Sequence, residues 1–476
     1  MSVLNNIEPK EVLYWFSEIS KIPRGSGNME GISKFLEEFA VKRNLFYIRD
    51  KHNNVIIKKE ASKGYENREP VILQGHLDMV CEKREDCEID FLKDPLRLKV
   101  DGDYIYAEGT TLGADNGIAV AYSLAVLESD EIEHPPIEAV FTVDEEIGLL
   151  GAGSIDLSML KSKRLINMDI EDEGVFTVSC AGGATVCCEL PLDFKVVKGN
   201  IYKITLSGLK GGHSGAEIDK NRGNSNVLMA RLLNKLSISH NISVSEISGG
   251  LKDNAIPVKT VAVIVTNSDI DEIIEEYNRI LKNEYRTSDE GVYVSFEKTS
   301  GELNSSDFES SKKLIFLLNS LPEGIQKMSA EIEGLPETSL NMGKLNTENN
   351  IVTMSFSVRS AIETAKEALI EKIKTITEFA GGKISVSGIY SGWEFNKDSL
   401  LRKTMEDEYK KMFGKVPVIE AIHAGLECGM FTEKIKGLDC ISIGPDILDI
   451  HTPMERASIS SIKRTWEFLK EVLKNL

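Results

Sequence analysis

At 476 residues the chain is too long for one ordinary core, so two domains are the default expectation. Its apolar fraction of 41% and charged fraction of 28% are those of a folded globular protein. A formal net charge of −19 excludes the basic footprint of a nucleic-acid binder and argues against docking on an anionic membrane. The first ten residues have no basic stretch followed by an apolar core, so no signal peptide is expected. No apolar run reaches membrane-spanning length. The 7 cysteines are scattered without a C-x-x-C pair, which points to a reducing cytoplasm rather than a disulfide framework.

In chain order, apolar spacing predicts helices over residues 9–21 and 32–39, separated by the turn at residues 23–27. Strands are expected over residues 46–59, around a turn at His52, and over residues 71–73. Gly75 breaks that last run, and His76 and Asp78 follow with one residue between them. Alternate side chains at a strand end face the same way, so the two can share one site. Residues 81–100 read as a charged loop and 104–107 as a short strand. A polar, glycine-rich loop over residues 109–117 then enters a small-residue helix at 118–127. Residues 137–143 form a buried strand ended by Asp144-Glu145-Glu146, and residues 164–169 repeat the pattern, ending in Asp169. Strands alternating with helices predict a mostly parallel α/β sheet with polar clusters at its strand ends.

The texture changes near Cys187. Residues 202–296 read as β-α-β-β-α-β, and a second round follows over residues 314–388, with its inner strands near 325–332 and 351–358. This order is that of a duplicated ferredoxin-like unit. The first texture returns with a helix at 400–413, strands at 418–423 and 438–443, the His451-Thr-Pro segment and a last helix at 460–476. The reading is an α/β catalytic domain, residues 1–189 and 395–476, interrupted by an inserted α+β domain, residues 190–394.

Five polar groups follow apolar runs or glycine turns: His76 with Asp78, Asp115 with Asn116, Glu145 with Glu146, Asp169, and His451. These are too many carboxylates for one zinc ion. Two metals sharing a carboxylate account for the surplus and suit hydrolysis, and a spare glutamate can move a proton. Turn capping explains Asp115-Asn116 equally well at this level, and a solvated rim explains Glu145-Glu146.

Gly75-His-Leu-Asp78, Gly113-Ala-Asp-Asn-Gly117, Asp144-Glu-Glu-Ile-Gly148, Asn167-Met-Asp169 and His451-Thr-Pro-Met-Glu455 together resemble the ordered motifs of the co-catalytic zinc aminoacylase and carboxypeptidase superfamily. The resemblance spans essentially the whole chain and is strongest to the aminoacyl-histidine dipeptidase type. It implies a zinc-exopeptidase fold in which His76 and Asp169 hold one metal, Glu146 and His451 hold the other, and Asp115 bridges both. It implies Glu145 as general base and acid, with Asp78 fixing the tautomer of His76. The implied cofactors are two divalent ions, zinc in the first place, with cobalt or manganese as substitutes.

The implied substrate is a short peptide with a free amino terminus, Xaa-His or β-alanyl-histidine among them. The inserted domain would be a lid through which many members pair as homodimers. Gly211-Gly-His-Ser-Gly215 matches the lid motif, making His213 the expected oxyanion donor, in its own chain or in its partner's. Asn254 and Arg359 fall where the family binds substrate. Glu427 and His423 fall by another glycine-rich segment, expected to line the pocket or orient the second metal. An aminotripeptidase, an N-acyl amino acid deacylase and a non-enzymatic metal-binding or assembly protein are the competing expectations. The metal-free base Glu145 argues against the last.

Overall fold

The computed structural model describes residues 3–476, which divide into two compact units. The first comprises residues 3–180, Trp393–Ala421 and Leu426–Leu476, and the second Ala181–Gly392 with Ile422–Gly425. Each has its own apolar core. That of the first runs through Phe16, Leu73, Tyr122, Phe141 and Trp466, and that of the second through Tyr202, Leu232, Ile264, Leu314 and Phe356. The boundary falls at Cys180, earlier than residue 189. The Gly182–Pro191 strand pairs with Ile351–Ser360 and Lys383–Tyr390, both in the second unit.

The first unit is built on an eight-stranded sheet. Its centre is four parallel strands lying side by side: Ile137–Thr142, Val71–His76, Arg164–Asn167 and Asp439–Ser442. Val71–His76 and Ile137–Thr142 are buried throughout, as strands covered on both faces must be. The flanking strands run antiparallel, so the sheet is mixed rather than parallel to its edges. The parallel strands end together, and the chain leaves them at His76, Thr142 and Asn167. That shared edge is where such sheets place ligands. A smaller four-stranded sheet pairs Arg456–Ser458 with Tyr104–Ala107 and with Ile447–Leu448, and carries the turn holding His451.

The second unit is one nine-stranded antiparallel sheet with helices. It contains two β-α-β-β-α-β repeats, but they are nested rather than consecutive. One consists of strand Phe194–Ser207, helix Ser225–Ser239, strands Ile242–Gly249 and Thr260–Thr266, helix Asp271–Glu284 and strand Tyr293–Ser306. Its strands lie in the order fourth, first, third, second. The other begins earlier, with strand Gly182–Pro191. It resumes only afterwards with helix Phe308–Ser320, strands Pro336–Glu348 and Ile351–Ser360, helix Glu363–Phe379 and strand Lys383–Tyr390. Its strand order is the same. The repeats meet edge to edge at Gly249 and Leu345.

The inner strand expected near residues 325–332 is instead Pro336–Glu348, with Gly324–Met328 only pairing beside it. PETSLNMGKLNTE has little β-branched apolar content, and its pairing with Ile351–Ser360 rather than its propensity makes it a strand.

Candidate functional site

His76 ends its strand fully buried. Its ring Nδ1 lies 3.1 Å from the Asp78 carbonyl and 3.4 Å from the Asp78 carboxylate. Nε2 faces the carboxylates of Asp115 at 3.1 Å and Asp169 at 3.5 Å, and is the nitrogen left to ligate a cation when Nδ1 holds the proton. The other oxygen of Asp115 lies 3.2 Å from His451 Nε2, which is 3.1 Å from Glu146. One carboxylate thus stands between two imidazoles, each of which meets a further carboxylate.

Burial alone would lower His76. The carboxylates of Asp169, Asp115 and Asp78 outweigh it and hold the ring well above its usual value. Hydrogen bonding to Asp115 and Glu146 raises His451 to about 10. Burial opposes ionisation of Asp115, but the two histidines bring its carboxyl below the usual range. Three carboxylates and two imidazoles converging in a largely buried place form an oxygen- and nitrogen-rich donor set that fits divalent cations. One ligand atom each from His76, Asp115 and Glu146 lies within 4.8 Å of the others.

The scaffold behind this cluster is specific. The helix entered at Gly113, with φ of 66°, has non-helical backbone at Asp115 and Asn116, joined by a cis peptide bond. The Asn116 amide accepts from the His76 backbone N–H at 3.1 Å and donates to the Met168 carbonyl at 2.7 Å. A single side chain therefore ties the approaches to His76, Asp115 and Asp169 together. Gly75 is required here, since a Cβ would stand 2.5 Å from the Asn116 oxygen and 2.7 Å from Ala119.

Glu455, fully buried, accepts from the amides of Leu112, Gly113, Ala114 and Asp115 at 2.7 to 3.4 Å. Arg24, equally buried, donates to the carbonyls of Leu77, Asp78 and Gly113. Sequence reading missed both in this role. Glu455 falls inside the His451-Thr-Pro-Met-Glu455 motif, whereas Arg24 falls in the turn at residues 23–27 and carries no signal of its own.

Asp78 accepts from the amides of Glu145 and Glu146 and from the Ser26 hydroxyl, so it aims the next strand's end as well as the His76 ring. The Glu145 carboxylate has no hydrogen-bond partner among the described residues. Burial, with the neighbouring charges of Asp169, Glu427 and Glu146, pushes it well above the usual carboxyl range. Glu427 lies under the same cluster, completely buried. One of its oxygens takes bonds from Gln74 at 2.5 Å and Thr142 at 2.7 Å, while the other has no partner. Burial raises it to about 7.

The other expected residues gather in the second unit. The Gly212–His213 strand pairs with Ala255–Ile256, and the Asn254 carbonyl accepts from Ser214 N–H. A Cβ on Gly215 would lie 2.5 Å from the His423 carbonyl, 3.0 Å from the His213 ring and 3.2 Å from the Arg359 guanidinium, so those three residues surround it. His213 Nδ1 accepts from the amides of Gly215 and Ala216, which leaves Nε2 carrying the proton. Burial and then Arg359 lower this ring, so it is a neutral donor. Arg359 donates to the Tyr390 hydroxyl at 3.0 Å, and its buried Nε is unpartnered. His423 Nε2 lies 2.6 Å from the Ser339 hydroxyl. His423 belongs to the second unit and Glu427 to the first.

Residues 72–475 match peptidase family M20/M25/M40. The chain is 36% identical over 482 residues to a cytosol non-specific dipeptidase of Escherichia coli, covering 100% of this chain and 99% of that one. Its fold matches an aminoacylhistidine dipeptidase from Vibrio alginolyticus with a TM-score of 0.95 and 35% identity, over 100% of this chain and 98% of the other. An aminopeptidase PepT from Bacillus cereus shares the fold at a TM-score of 0.56 and 16% identity, over 98% of each chain. With its motifs gathered at one sheet edge and its whole length matched, the chain belongs to peptidase family M20/M25/M40.

Proposed function

We propose that this protein is a metal-dependent dipeptidase that hydrolyses the peptide bond of short substrates with a free amino terminus. The observation that carries this reading is the Asp115 carboxylate standing between His76 and His451 with Glu145 left unbonded beside it. The names of its full-length relatives, a non-specific dipeptidase and an aminoacylhistidine dipeptidase, support a dipeptide substrate class that includes Xaa-His, and β-alanyl-histidine is proposed with it.

His76 and Asp169 would hold one divalent ion, Glu146 and His451 a second, and Asp115 both, with zinc as the native metal and cobalt or manganese as substitutes. When bound, such ions polarise the scissile carbonyl and acidify the attacking water. Glu145 takes the proton of that water and delivers it to the leaving amine. Its raised carboxyl suits a group that must both accept and return a proton. Asp78 keeps His76 in the ligating tautomer. In the second unit, the neutral Nε2–H of His213 is the donor proposed for the developing oxyanion, and Arg359 is proposed for the substrate carboxylate through its planar fork, with Asn254 and His423 as further substrate contacts. A cytoplasmic location and pairing of chains through the second unit complete the proposal.

A panel of β-Ala-His, Gly-His, Leu-Leu, a tripeptide and an N-acetyl amino acid, each with added zinc, cobalt or manganese, tests it. Free-amine dipeptides should be cleaved best. Faster cleavage of the acetylated substrate would make the protein a deacylase, and of the tripeptide an aminotripeptidase. Glu145→Gln should keep its metal and lose turnover by about 10²- to 10⁴-fold. Full activity in that variant would remove Glu145 from the mechanism.

A further inference from the structure

Three neighbouring strands of the second unit align one row of residues. Arg359 of Ile351–Ser360 stands opposite Gly183 of Gly182–Pro191, and Gly183 stands opposite Tyr390 of Lys383–Tyr390. Residues of one row share a face of the sheet, so Arg359 and Tyr390 flank Gly183 with two strand spacings, about 10 Å, between their backbones. The middle position has no side chain, and the two long ones close over it. A Cβ on Gly183 would lie 2.5 Å from Tyr390 Cε1, Cζ and the hydroxyl oxygen. That hydroxyl accepts from Arg359 Nη1 at 3.0 Å. Tyr390 enters this row through a register shift after Ser387, the kind of irregularity that re-aims a side chain. Lys366, fully buried on the helix Glu363–Phe379, donates to the Tyr390 carbonyl at 2.7 Å and fixes the shifted backbone.

The arginine held in this way is 7% exposed, and its buried Nε has no partner. Buried N–H groups are normally satisfied, and an exception points to a ligand. Tyr390 takes Nη1. Along the other edge of the plane, Nε and Nη2 match the two oxygens of a carboxylate. The guanidinium also stands beside the proposed oxyanion donor. A Cβ on Gly215 would lie 3.0 Å from the His213 ring and 3.2 Å from the Arg359 guanidinium. In a dipeptide the carboxylate carbon is only three bonds from the scissile carbonyl carbon, so neighbouring groups must read the two. A long cationic side chain ordered before its ligand arrives also loses less freedom on binding.

We propose that Tyr390 is the positioning residue for Arg359, holding its Nε–Nη2 edge ready for the C-terminal carboxylate of the substrate and so setting the preference for an unblocked carboxyl terminus. Gly183 provides the space for this contact. The inference rests on the dipeptidase reading and on Arg359 as its carboxylate anchor.

The test uses the metal-loaded protein and two probes, a phosphinic dipeptide analogue ending in a carboxylate and the same analogue ending in a primary amide, with dissociation constants measured by calorimetry. Wild type should prefer the carboxylate, and Arg359→Met should erase that preference. Tyr390→Phe keeps the ring and the Lys366 contact and removes only the hydroxyl. It should weaken the carboxylate analogue by about three- to tenfold, leave the amide analogue within about twofold, and raise KM for Gly-His with little change in kcat. Gly183→Ala should displace the ring and reproduce this loss, and the double variant should lose no more than the larger single one. The proposal is overturned if Tyr390→Phe keeps the wild-type preference, if it weakens both analogues equally, or if the two losses add. If wild type shows no preference, or Arg359→Met retains it, Arg359 is not the carboxylate anchor, and the reading beneath the proposal fails together with it.

Discussion

His76 and Asp78 are two residues apart and do different work. His76 offers Nε2 to the donor cluster, whereas Asp78 spends its oxygens on the amides of Glu145 and Glu146, Ser26 and the His76 ring. His76→Ala should therefore remove one metal from each chain. Asp78→Ala should keep metal stoichiometry near wild type and lower turnover by about 10- to 100-fold, read by elemental analysis beside kinetics. Equal metal loss in both variants would make Asp78 a ligand. A second residue-level expectation concerns acid stability. Burial and Arg359 lower His423 from 6.5 to about 4, against the opposing pull of Asp219 and with His213 adding to it. Folding favours the neutral ring, so this contribution is complete above pH ~6.5 and is lost as pH falls through about 4, on the order of 3 kcal/mol in all. Denaturant unfolding between pH 4 and 7 should show a flatter profile for His423→Gln, and an unchanged slope would contradict the assignment.

At the scale of elements, the loop entering the Ala114–Glu128 helix is decisive. Four of its amides converge on one carboxylate, Glu455, which the four-stranded sheet brings across from the other end of the sequence. Replacing Glu455 by Gln turns one acceptor into a donor facing those amides. It should cost about 1–3 kcal/mol of stability and weaken metal binding by about 10- to 100-fold, measured by thermal melting and chelator competition. Unaltered metal affinity would show that the loop holds Asp115 without it. Local pattern located this loop and the strands around it, because buried parallel strands are apolar runs that end abruptly in polar residues. It did not reveal Pro336–Glu348, whose polar composition becomes strand only through its neighbours, nor the early start of the outer repeat at Gly182.

Over the whole molecule, two separate cores predict two separable responses to metal removal. All the donors lie in the first unit, so a cation at a hundred times its dissociation constant should stabilise that unit by about 2.7 kcal/mol. Chelation should lower its calorimetric transition and leave that of the second unit in place. A single transition shifting as one would mean that the units unfold together. Among the described residues no helix is long and apolar enough to cross a membrane, and all 7 cysteines are free thiols.

The sequence by itself marked most strands and helices of the first unit, though not strand Val175–Cys180 or helix Glu427–Lys434, and it supplied the donor types. Its change of texture near Cys187 suggested an inserted second fold, because apolar periodicity and abrupt polar strand ends are local properties of the chain. Only the tertiary structure decided that His76, Asp115, Glu146, Asp169 and His451 converge, since His451 reaches Asp115 from 336 positions away. It alone exposed the roles of Arg24 and Glu455, whose partners come from distant parts of the chain. It also assigned His423 to the second unit and Glu427 to the first, although they are near neighbours in the chain.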